Sequence, residues 1–273
     1  MPRIALFQAR TGIDPADNLA KLVSAISLAA GGGAEMLFTP EMSGLLDGNR
    51  ERASKSVRPE ADDATLAAVC QCARENSIWV QLGSLALKGL TGKFVNRAFV
   101  IDAAGEIRGR YDKIHLFDVD LPTGESWRES AVYESGSRPV VVQGTPVGSL
   151  GLTICYDLRF PALFERLAEA GAQVISVPAA FTVPTGKAHW EILLRARAVE
   201  AGLFIVAAAQ GGVHADGRTT YGHSLVVDPW GEVLLDAGEE GGVHFTEIDL
   251  SRIDEVRSRV PALSHRRPIG PVD

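Results

Sequence analysis

Apolar and polar residues alternate along the chain with two different periods. Residues 3–9 show the period of two that is typical of a β-strand, whereas the apolar residues of 17–30 recur every three or four positions, as in a helix that ends at Gly31-Gly32-Gly33. Strands and helices continue to alternate along the whole chain, which predicts an α/β layered fold. Further strands are predicted at 35–39, 79–87, 140–142, 151–155, 173–177, 204–209 and 223–227, and further helices at 61–74, 162–170 and 189–201.

Two segments share the pattern V-x-D-x-x-G-E followed by Ile or Val. They begin at Val100 and Val226, and each predicts a hairpin with a glycine in its turn. Because hairpins are common, coincidence can account for the similarity. The alternative is a pseudo-two-fold fold in which two sheets face each other and the helices lie outside, and in that arrangement the chain forms one domain.

Chain length leaves one or two domains open, and composition identifies a globular protein. No linker-like stretch divides the 273 residues, so we expect a single domain spanning residues 1–273. Apolar residues make up 46% of the chain and charged residues 22%, which excludes a disordered chain. The longest apolar stretch, 202–209 with Gly202 included, has about eight residues, far fewer than the ~20 that span a bilayer.

Charge and cysteine content predict a location and exclude two classes of partner. The N-terminal segment lacks the apolar core of a secretion signal, and three cysteines are too few for a disulfide framework, so a cytoplasmic protein is expected. The net charge of −7 opposes attraction to nucleic acid or to an anionic membrane. We therefore expect neither as a partner.

Motifs for cofactor and metal chemistry are missing from the sequence. Gly92-Lys93 and Gly186-Lys187 lack the upstream glycine of a nucleotide-binding loop, and there is no G-x-S-x-G or H-E-x-x-H motif. The six histidines do not fall at metal-ligand spacing with a cysteine or a carboxylate. We therefore expect neither a cofactor nor a metal.

Cys155 stands out chemically, because it ends the predicted strand 151–155 and precedes a turn into a helix. Strand ends that face a crevice are where α/β folds carry their chemistry, although a lone cysteine by itself is more often a buried core residue. A cysteine nucleophile needs a base and a donor that stabilises an oxyanion. Glu41 and Lys113 lie at two other predicted strand ends, yet each of them alone is compatible with a solvated surface position.

Three blocks of the sequence resemble, in order and spacing, the signature blocks of the nitrilase (carbon-nitrogen hydrolase) superfamily. They are F-T-P-E-M at 38–42, Y-D-K-I-H-L-F-D-V-D at 111–120 and L-T-I-C-Y-D-L-R-F-P at 152–161. The resemblance covers nearly the whole chain. It implies a four-layer αββα sandwich that pairs into homodimers or higher homo-oligomers.

The resemblance also assigns catalytic roles. Glu41 is expected to take the proton of Cys155, whose thiolate attacks the substrate carbonyl, while Lys113 and the backbone N–H of Tyr156 hold the oxyanion. The same glutamate then activates water to hydrolyse the thioester, so no cofactor is needed. Glu129 matches a second glutamate that orients the substrate and the lysine, unless it is an exposed loop acid.

Further blocks resemble the amidases that hydrolyse deaminated glutathione and related ω-amides. They lie at 115–122, 127–130 and 186–198. The expected function is hydrolysis of a terminal amide of a small carboxylate-bearing substrate, such as deaminated glutathione, to acid and ammonia, as a metabolite-repair step. Candidate substrate-binding residues are Arg128, Arg159, Phe181, Thr182 and Lys187. For Arg159, the alternative to substrate binding is a structural ion pair with Asp157.

Other activities share the same three catalytic residues. An ω-amidase acting on α-ketoglutaramate-like keto amides, a nitrilase and an N-carbamoyl hydrolase all stay open, because the triad does not separate them. A non-catalytic interaction protein with the same fold is the alternative from a different class. It predicts no thioester and no labelling of Cys155 by thiol reagents.

Overall fold

Two six-stranded sheets dominate the computed structural model, which describes residues 1–120, 124 and 126–272. Within those residues the strands are β1 (Arg3–Gln8), β2 (Met36–Phe38), β3 (Trp79–Lys88), β4 (Phe94–Ile101), β5 (Ile107–Asp112), β6 (Asp118–Asp120), β7 (Ser126–Arg128), β8 (Val141–Thr145), β9 (Gly148–Leu152), β10 (Val174–Ser176), β11 (Phe204–Ala207), β12 (Gly211–Val213), β13 (Thr219–Tyr221), β14 (Leu225–Val227), β15 (Val233–Asp236) and β16 (Gly242–Glu247). The first sheet has the order β16-β1-β2-β3-β4-β5 and the second β15-β14-β11-β10-β9-β8.

Aspartate side chains cap the starts of two of the longer helices. Asp14 accepts a hydrogen bond of 2.9 Å from the N–H of Ala16 at the start of the first long helix, and Asp63 accepts one of 2.8 Å from Leu66 at the start of another. Over the same described residues the helices are α1 (Pro15–Gly31), α2 (Arg50–Ser54), α3 (Ala64–Asn76), α4 (Pro161–Glu169), α5 (Val183–Ala201), α6 (Ser251–Arg259) and α7 (Ala262–His265), with 3₁₀ turns at 60–62, 129–131 and 155–159.

The two sheets repeat one another. In each, three parallel strands are followed by two antiparallel ones: β1-β2-β3 with β4 and β5, and β9-β10-β11 with β14 and β15. The two similar sequence segments form the hairpins β4–β5 and β14–β15. Asp102 and Asp228 each accept two backbone N–H groups at 2.8–2.9 Å inside these turns. The repeat therefore belongs to a pseudo-two-fold arrangement and not to coincidence.

Alternate side chains along a strand face different layers of the fold. Ile4 and Leu6 of β1 belong to the cluster that also holds the apolar residues of the second sheet, whereas Ala5 faces α1 and α3. The second sheet is covered on its other face by α4 and α5, through residues such as Leu167 and Leu194. Each fully buried aliphatic side chain contributes ~1.5–3 kcal/mol. The predicted four-layer αββα sandwich is confirmed.

Helix α5 begins six residues earlier than the sequence predicts, at Val183 instead of His189. Pro184 and Gly186 suggest a break, but a proline in the first turn has no N–H that the helix needs. A Cβ on Gly186 would lie 2.2 Å from Cγ of Tyr221, so the glycine allows the helix to approach β13. The residue pattern therefore marks a close contact and not a helix end.

The first and the last strand of the described residues are neighbours in the first sheet. Strand β16 pairs antiparallel with β1, and Arg3 lies opposite Glu247. Among residues 1–120, 124 and 126–272, no helix combines the length and the apolar character that crossing a membrane would require.

Candidate active site

Three segments that follow strands of the two sheets meet at one point. Glu41 follows β2, Lys113 follows β5 and Cys155 lies three residues after β9. All three side chains are buried, with residue exposures of 4%, 2% and 8%. The Lys113 Nζ atom lies 2.9 Å from Glu41 Oε1. The structure thus brings together the three residues that the sequence alone could not place side by side.

Cys155 sits in a turn and not at the end of a strand as predicted. Strand β9 ends at Leu152, and Cys155 begins the 3₁₀ turn of residues 155–159 with a φ of +49°. A left-handed conformation is uncommon for a residue with a side chain, and such strain costs about 1–3 kcal/mol. The N–H of Cys155 donates to the carbonyl of Pro178 at 2.9 Å, which holds the turn against the segment that follows β10.

The loop that carries Glu41 is held by close backbone contact with β3. A Cβ on Gly83 would lie 2.0 Å from the carbonyl oxygen of Thr39, so glycine is required there. The carboxylate of Glu41 accepts hydrogen bonds from Asn96 Nδ2 at Oε1, 2.9 Å, and from the N–H of Ala180 at Oε2, 3.0 Å. Donors from both sheets therefore fix the orientation of the carboxylate.

Lys113 lies between two carboxylates. Its Nζ atom is 2.9 Å from Glu41 Oε1, and 3.1 and 2.9 Å from the two oxygens of Glu129. Glu129 also accepts a hydrogen bond of 2.6 Å from the N–H of Phe117. Glu129 is therefore a largely buried partner of the lysine and not an exposed loop acid. We call Glu41, Lys113, Glu129 and Cys155 the floor.

The charges of the floor determine its resting protonation. Burial opposes the ammonium of Lys113, but the carboxylates of Glu129 and Glu41 outweigh it and hold the lysine pKa well above its usual value. Burial, together with the negative charge of Glu41, raises the pKa of the Cys155 thiol well above its usual value. The resting cysteine therefore carries a proton, which must leave when the sulfur attacks.

Asp157 joins the segments that carry Lys113 and Cys155, a role that the sequence did not reveal. It is fully buried and accepts hydrogen bonds from Tyr111 Oη at 2.7 Å, from the N–H and Nδ1 of His115 at 3.0 and 2.7 Å, and from the N–H of Ile154 at 2.9 Å. Tyr111 and His115 flank Lys113 on both sides. The aspartate therefore fixes the separation of the lysine from the cysteine.

A cavity of about 400 Å³ opens above the floor. Its walls are largely apolar and aromatic, and this size is typical of a site for a small molecule. Lys187 is exposed on α5 and does not line the cavity. The predicted residues that line it are Glu41, Lys113, Cys155, Glu129, Tyr156, Arg128, Arg159, Phe181 and Thr182.

The arginines around the cavity differ in their pairing. Arg128 makes two hydrogen bonds, of 2.9 and 2.8 Å, to the carboxylate of Asp120. Arg159 has no carboxylate partner among the described residues, and its guanidinium carbon lies 5.9 and 5.7 Å from the ring centres of Tyr156 and Phe181. Asp157 does not pair with Arg159, because its oxygens are occupied by other donors. The rim, as we use the term, consists of Arg50, Arg128, Arg159 and Arg218.

The backbone N–H of Tyr156, next to Cys155, is a further donor at the floor. It donates no hydrogen bond within the part of the chain that the structure describes.

In residues 1–120, 124 and 126–272 no group of three or more His, Cys, Asp or Glu side chains is arranged to hold a metal ion. Of the sequence block 115–122, residues 121–122 lie outside the described residues.

The two facing sheets hold a buried cysteine and lysine and two glutamates beside one cavity. Residues 3–258 match the family described as Carbon-nitrogen hydrolase. The chain belongs to this carbon-nitrogen hydrolase family, so the predicted family and the predicted class of enzyme, a hydrolase of carbon–nitrogen bonds other than peptide bonds, are confirmed.

Similar proteins include amidases from distant organisms. The chain is 39% identical over 267 residues to a deaminated glutathione amidase of Yersinia enterocolitica, covering 97% of this chain and 92% of the relative. The crystal structure of the Caenorhabditis elegans NitFhit protein superimposes with a TM-score of 0.90 at 39% identity, over 97% of this chain and 65% of that longer one. An amidase mutant from Nesterenkonia sp. AN1, which carries the acetamide moiety of fluoroacetamide on its active-site cysteine, has a TM-score of 0.81 at 28% identity, over 97% and 94%.

Proposed function

We propose that the chain is a cysteine-dependent amidase in which Cys155 is the nucleophile, Glu41 the base and Lys113 an oxyanion donor. One observation carries the proposal: the three side chains converge, buried, at the floor of a single cavity of about 400 Å³. We further propose that residues 1–273 form one carbon-nitrogen hydrolase domain, in keeping with the two facing sheets.

The reaction proceeds in two halves with the protons balanced on Glu41. The thiol proton of Cys155 passes to Glu41 as the sulfur bonds to the amide carbon, and Lys113 with the N–H of Tyr156 stabilises the oxyanion. When the carbon–nitrogen bond breaks, Glu41 returns the proton to the leaving nitrogen, and a thioester is left. Water then gives a proton to Glu41 and adds to the thioester, and the departing sulfur recovers that proton.

The proposed substrate is deaminated glutathione, which the names of the similar proteins support. This compound carries carboxylates and therefore needs cations in the cavity. Arg159 lies against Tyr156 and Phe181 without a carboxylate partner in the described residues, so its guanidinium is available to a substrate carboxylate. Thr182 adds a hydroxyl to the same wall.

The leaving group distinguishes two substrate classes. In deaminated glutathione the amide nitrogen belongs to the cysteine residue, so hydrolysis releases an amine and not the ammonia expected from the sequence, whereas a primary keto amide such as α-ketoglutaramate releases ammonia. Both reactions give the same keto diacid. The keto amide is the second candidate, because Arg159, which has no carboxylate partner among the described residues, would bind its carboxylate equally well.

The test follows release of the keto diacid from both compounds, with ammonia measured in parallel. We expect turnover of deaminated glutathione with a higher kcat/KM than for α-ketoglutaramate, no turnover by Cys155→Ala, and unchanged turnover by Cys72→Ala, since Cys72 is buried away from the cavity. Preference for the keto amide would change the substrate. Turnover that survives Cys155→Ala, or no turnover of any amide, nitrile or N-carbamoyl compound, would refute the mechanism.

We also propose that the chain forms a homodimer or a higher homo-oligomer. Helix α5 exposes Ile192 and Val199, and Trp230 and Val260 are exposed near its C-terminal half, around an apolar hollow lined by Val199, Trp230 and Val260. Light scattering after size exclusion should show an oligomer that Val199→Glu dissociates, and a monomeric parent would contradict this.

We also propose a cytoplasmic location. Three free cysteines support a reducing compartment, and cell fractionation tests the location.

A further inference from the structure

Asn96 touches the charged groups of the floor from below. The residue lies on β4 and is 1% exposed, and it does not line the cavity. Its Nδ2 atom donates to Glu41 Oε1 at 2.9 Å and lies 3.5 Å from Glu129 Oε1. Its backbone oxygen accepts the N–H of Lys113 at 2.9 Å. One residue therefore contacts both carboxylates and the segment that carries the lysine.

The orientation of the Asn96 amide follows from the charges that it faces. With the amide turned over, its oxygen would face the oxygens of Glu41 and Glu129, which is repulsive. In the observed orientation Oδ1 is buried and accepts no hydrogen bond from the described residues. A buried acceptor without a donor is unfavourable, and such local conflicts are expected where function requires them.

The two oxygens of Glu41 differ in their partners. Oε1 accepts from Lys113 and from Asn96, so both of its lone pairs are occupied. Oε2 accepts from the N–H of Ala180, its one donor within the described part of the chain, and keeps a free lone pair. A proton on Oε1 would have to displace a donor, whereas a proton on Oε2 displaces none.

We infer that Asn96 is a positioning residue that acts through Glu41 and keeps the transferred proton on Oε2. The inference rests on the proposed function. The proton leaves Sγ of Cys155 for Oε2 as the sulfur–carbon bond forms, and it leaves Oε2 for the amide nitrogen as the carbon–nitrogen bond breaks. Without the Asn96 donor, Oε1 has a free lone pair beside Lys113 that competes with Oε2 for the transferred proton.

The first test replaces Asn96 with an apolar residue of similar size. For Asn96→Leu we expect kcat to fall by about 10²-fold, the contribution of a well-placed proton transfer, with KM changed less than threefold because the residue does not touch substrate. Gln81→Leu is the matched control. Gln81 is a fully buried amide on the neighbouring strand β3 whose two polar atoms also have no partner in the described residues, and its loss should leave kcat unchanged.

The second test uses the isosteric variant Asn96→Asp, whose side chain can donate to Oε1 only when it is protonated. We expect kcat near that of Asn96→Leu at pH 8 and recovery towards the parent value as the pH falls to 5.5. A purely structural residue gives no such recovery, and this result decides the matter if Asn96→Leu fails to fold. An unchanged kcat in a folded Asn96→Leu, a rise in KM alone, or an Asn96→Asp profile parallel to that of the parent would overturn the inference.

The same experiment separates this inference from the proposed function. A parent enzyme that turns over amides and is silenced by Cys155→Ala, together with a fully active Asn96→Leu, refutes the role of Asn96 alone. A parent with no turnover refutes both.

Discussion

The floor and the rim of the cavity hold charge in different ways. At the floor, Lys113 and Glu129 are buried and bind each other and the backbone. At the rim, Arg128 and Asp120 form an ion pair whose side chains are 51% and 71% exposed. An exposed pair of this kind contributes about 0–1 kcal/mol, whereas charges removed from water interact strongly and must be balanced. In the proposed function, the catalytic groups are therefore held by buried, mutually paired contacts, whereas the substrate contacts lie on exposed segments that can change without disturbing the floor.

Removing the cation of the floor should have the largest effect. Lys113→Met deletes an oxyanion donor and leaves Glu41 and Glu129 as unbalanced buried carboxylates. We expect kcat to fall by about 10²–10³-fold and the free energy of unfolding to drop by about 3–5 kcal/mol. Steady-state kinetics and urea unfolding measure the two losses, with the exposed Lys187→Met as the control. Loss of activity in Lys113→Met that is no greater than in the control would place the lysine outside the reaction.

Breaking the connection beneath the floor should have the next largest effect. Asp157→Asn keeps the size of the side chain but replaces the charge that four donors from Tyr111, His115 and Ile154 now share. We expect a loss of about 2–3 kcal/mol in the free energy of unfolding, because hydrogen bonds to a charged group contribute about 1.5–3 kcal/mol each and only part of each is lost. Urea unfolding and kcat should fall together. A destabilised variant with parental kcat would show that the aspartate does not position the two catalytic segments.

A smaller effect is expected when one arginine of the rim is changed. Arg159→Met should raise KM about tenfold and leave kcat within threefold, because it removes one charge-assisted contact to the substrate. Arg128→Met should change KM less, since that arginine is already paired with Asp120. KM values for deaminated glutathione provide the comparison. Equal KM values for the parent and Arg159→Met would remove the binding role of this arginine.

The smallest effect is expected for His214, on the way that the free energy of unfolding depends on pH. His214 is buried between Thr11 and Thr220, at 2.8 and 2.7 Å, and burial lowers its pKa below the usual value. The unfolded chain therefore binds a proton more readily, and the contribution of His214 to stability is lost as the pH falls below about 6.5, the usual pKa of histidine. Urea midpoints at pH 7.5 and 5.5 should differ less in His214→Gln than in the parent. An identical difference in both proteins would exclude this histidine.

Local patterns in the sequence predicted most strands and helices, because burial imposes the period of each element. The convergence of Glu41, Lys113 and Cys155 could not be derived from spacing, since it depends on strand order in two sheets, and family resemblance supplied the expectation. Lys187 was proposed as a cation for the carboxylates of the substrate, but helix α5 begins at Val183 and leaves that lysine exposed and outside the cavity.

Asn96 and Asp157 were missed for different reasons. A single asparagine in an apolar strand has no periodic signal in the sequence. Only its position beside the carboxylates of Glu41 and Glu129 in the structure marks it as a buried donor. Asp157 lies two residues after the cysteine, and its sequence position alone fits a solvated turn equally well. Only the structure shows four donors converging on its oxygens.

The pairing of β1 with β16 has a consequence for synthesis on the ribosome. The second sheet uses strands from residues 141–236, so its members can pair once that part of the chain has emerged. The first sheet gains its last edge strand only when residues 242–247 are available to meet β1. Contacts between residues so distant along the chain form slowly, and until they form the exposed edge of β1 is open to association with other chains. Truncations that remove β16 should therefore aggregate during expression, even though the residues of the floor precede the cut.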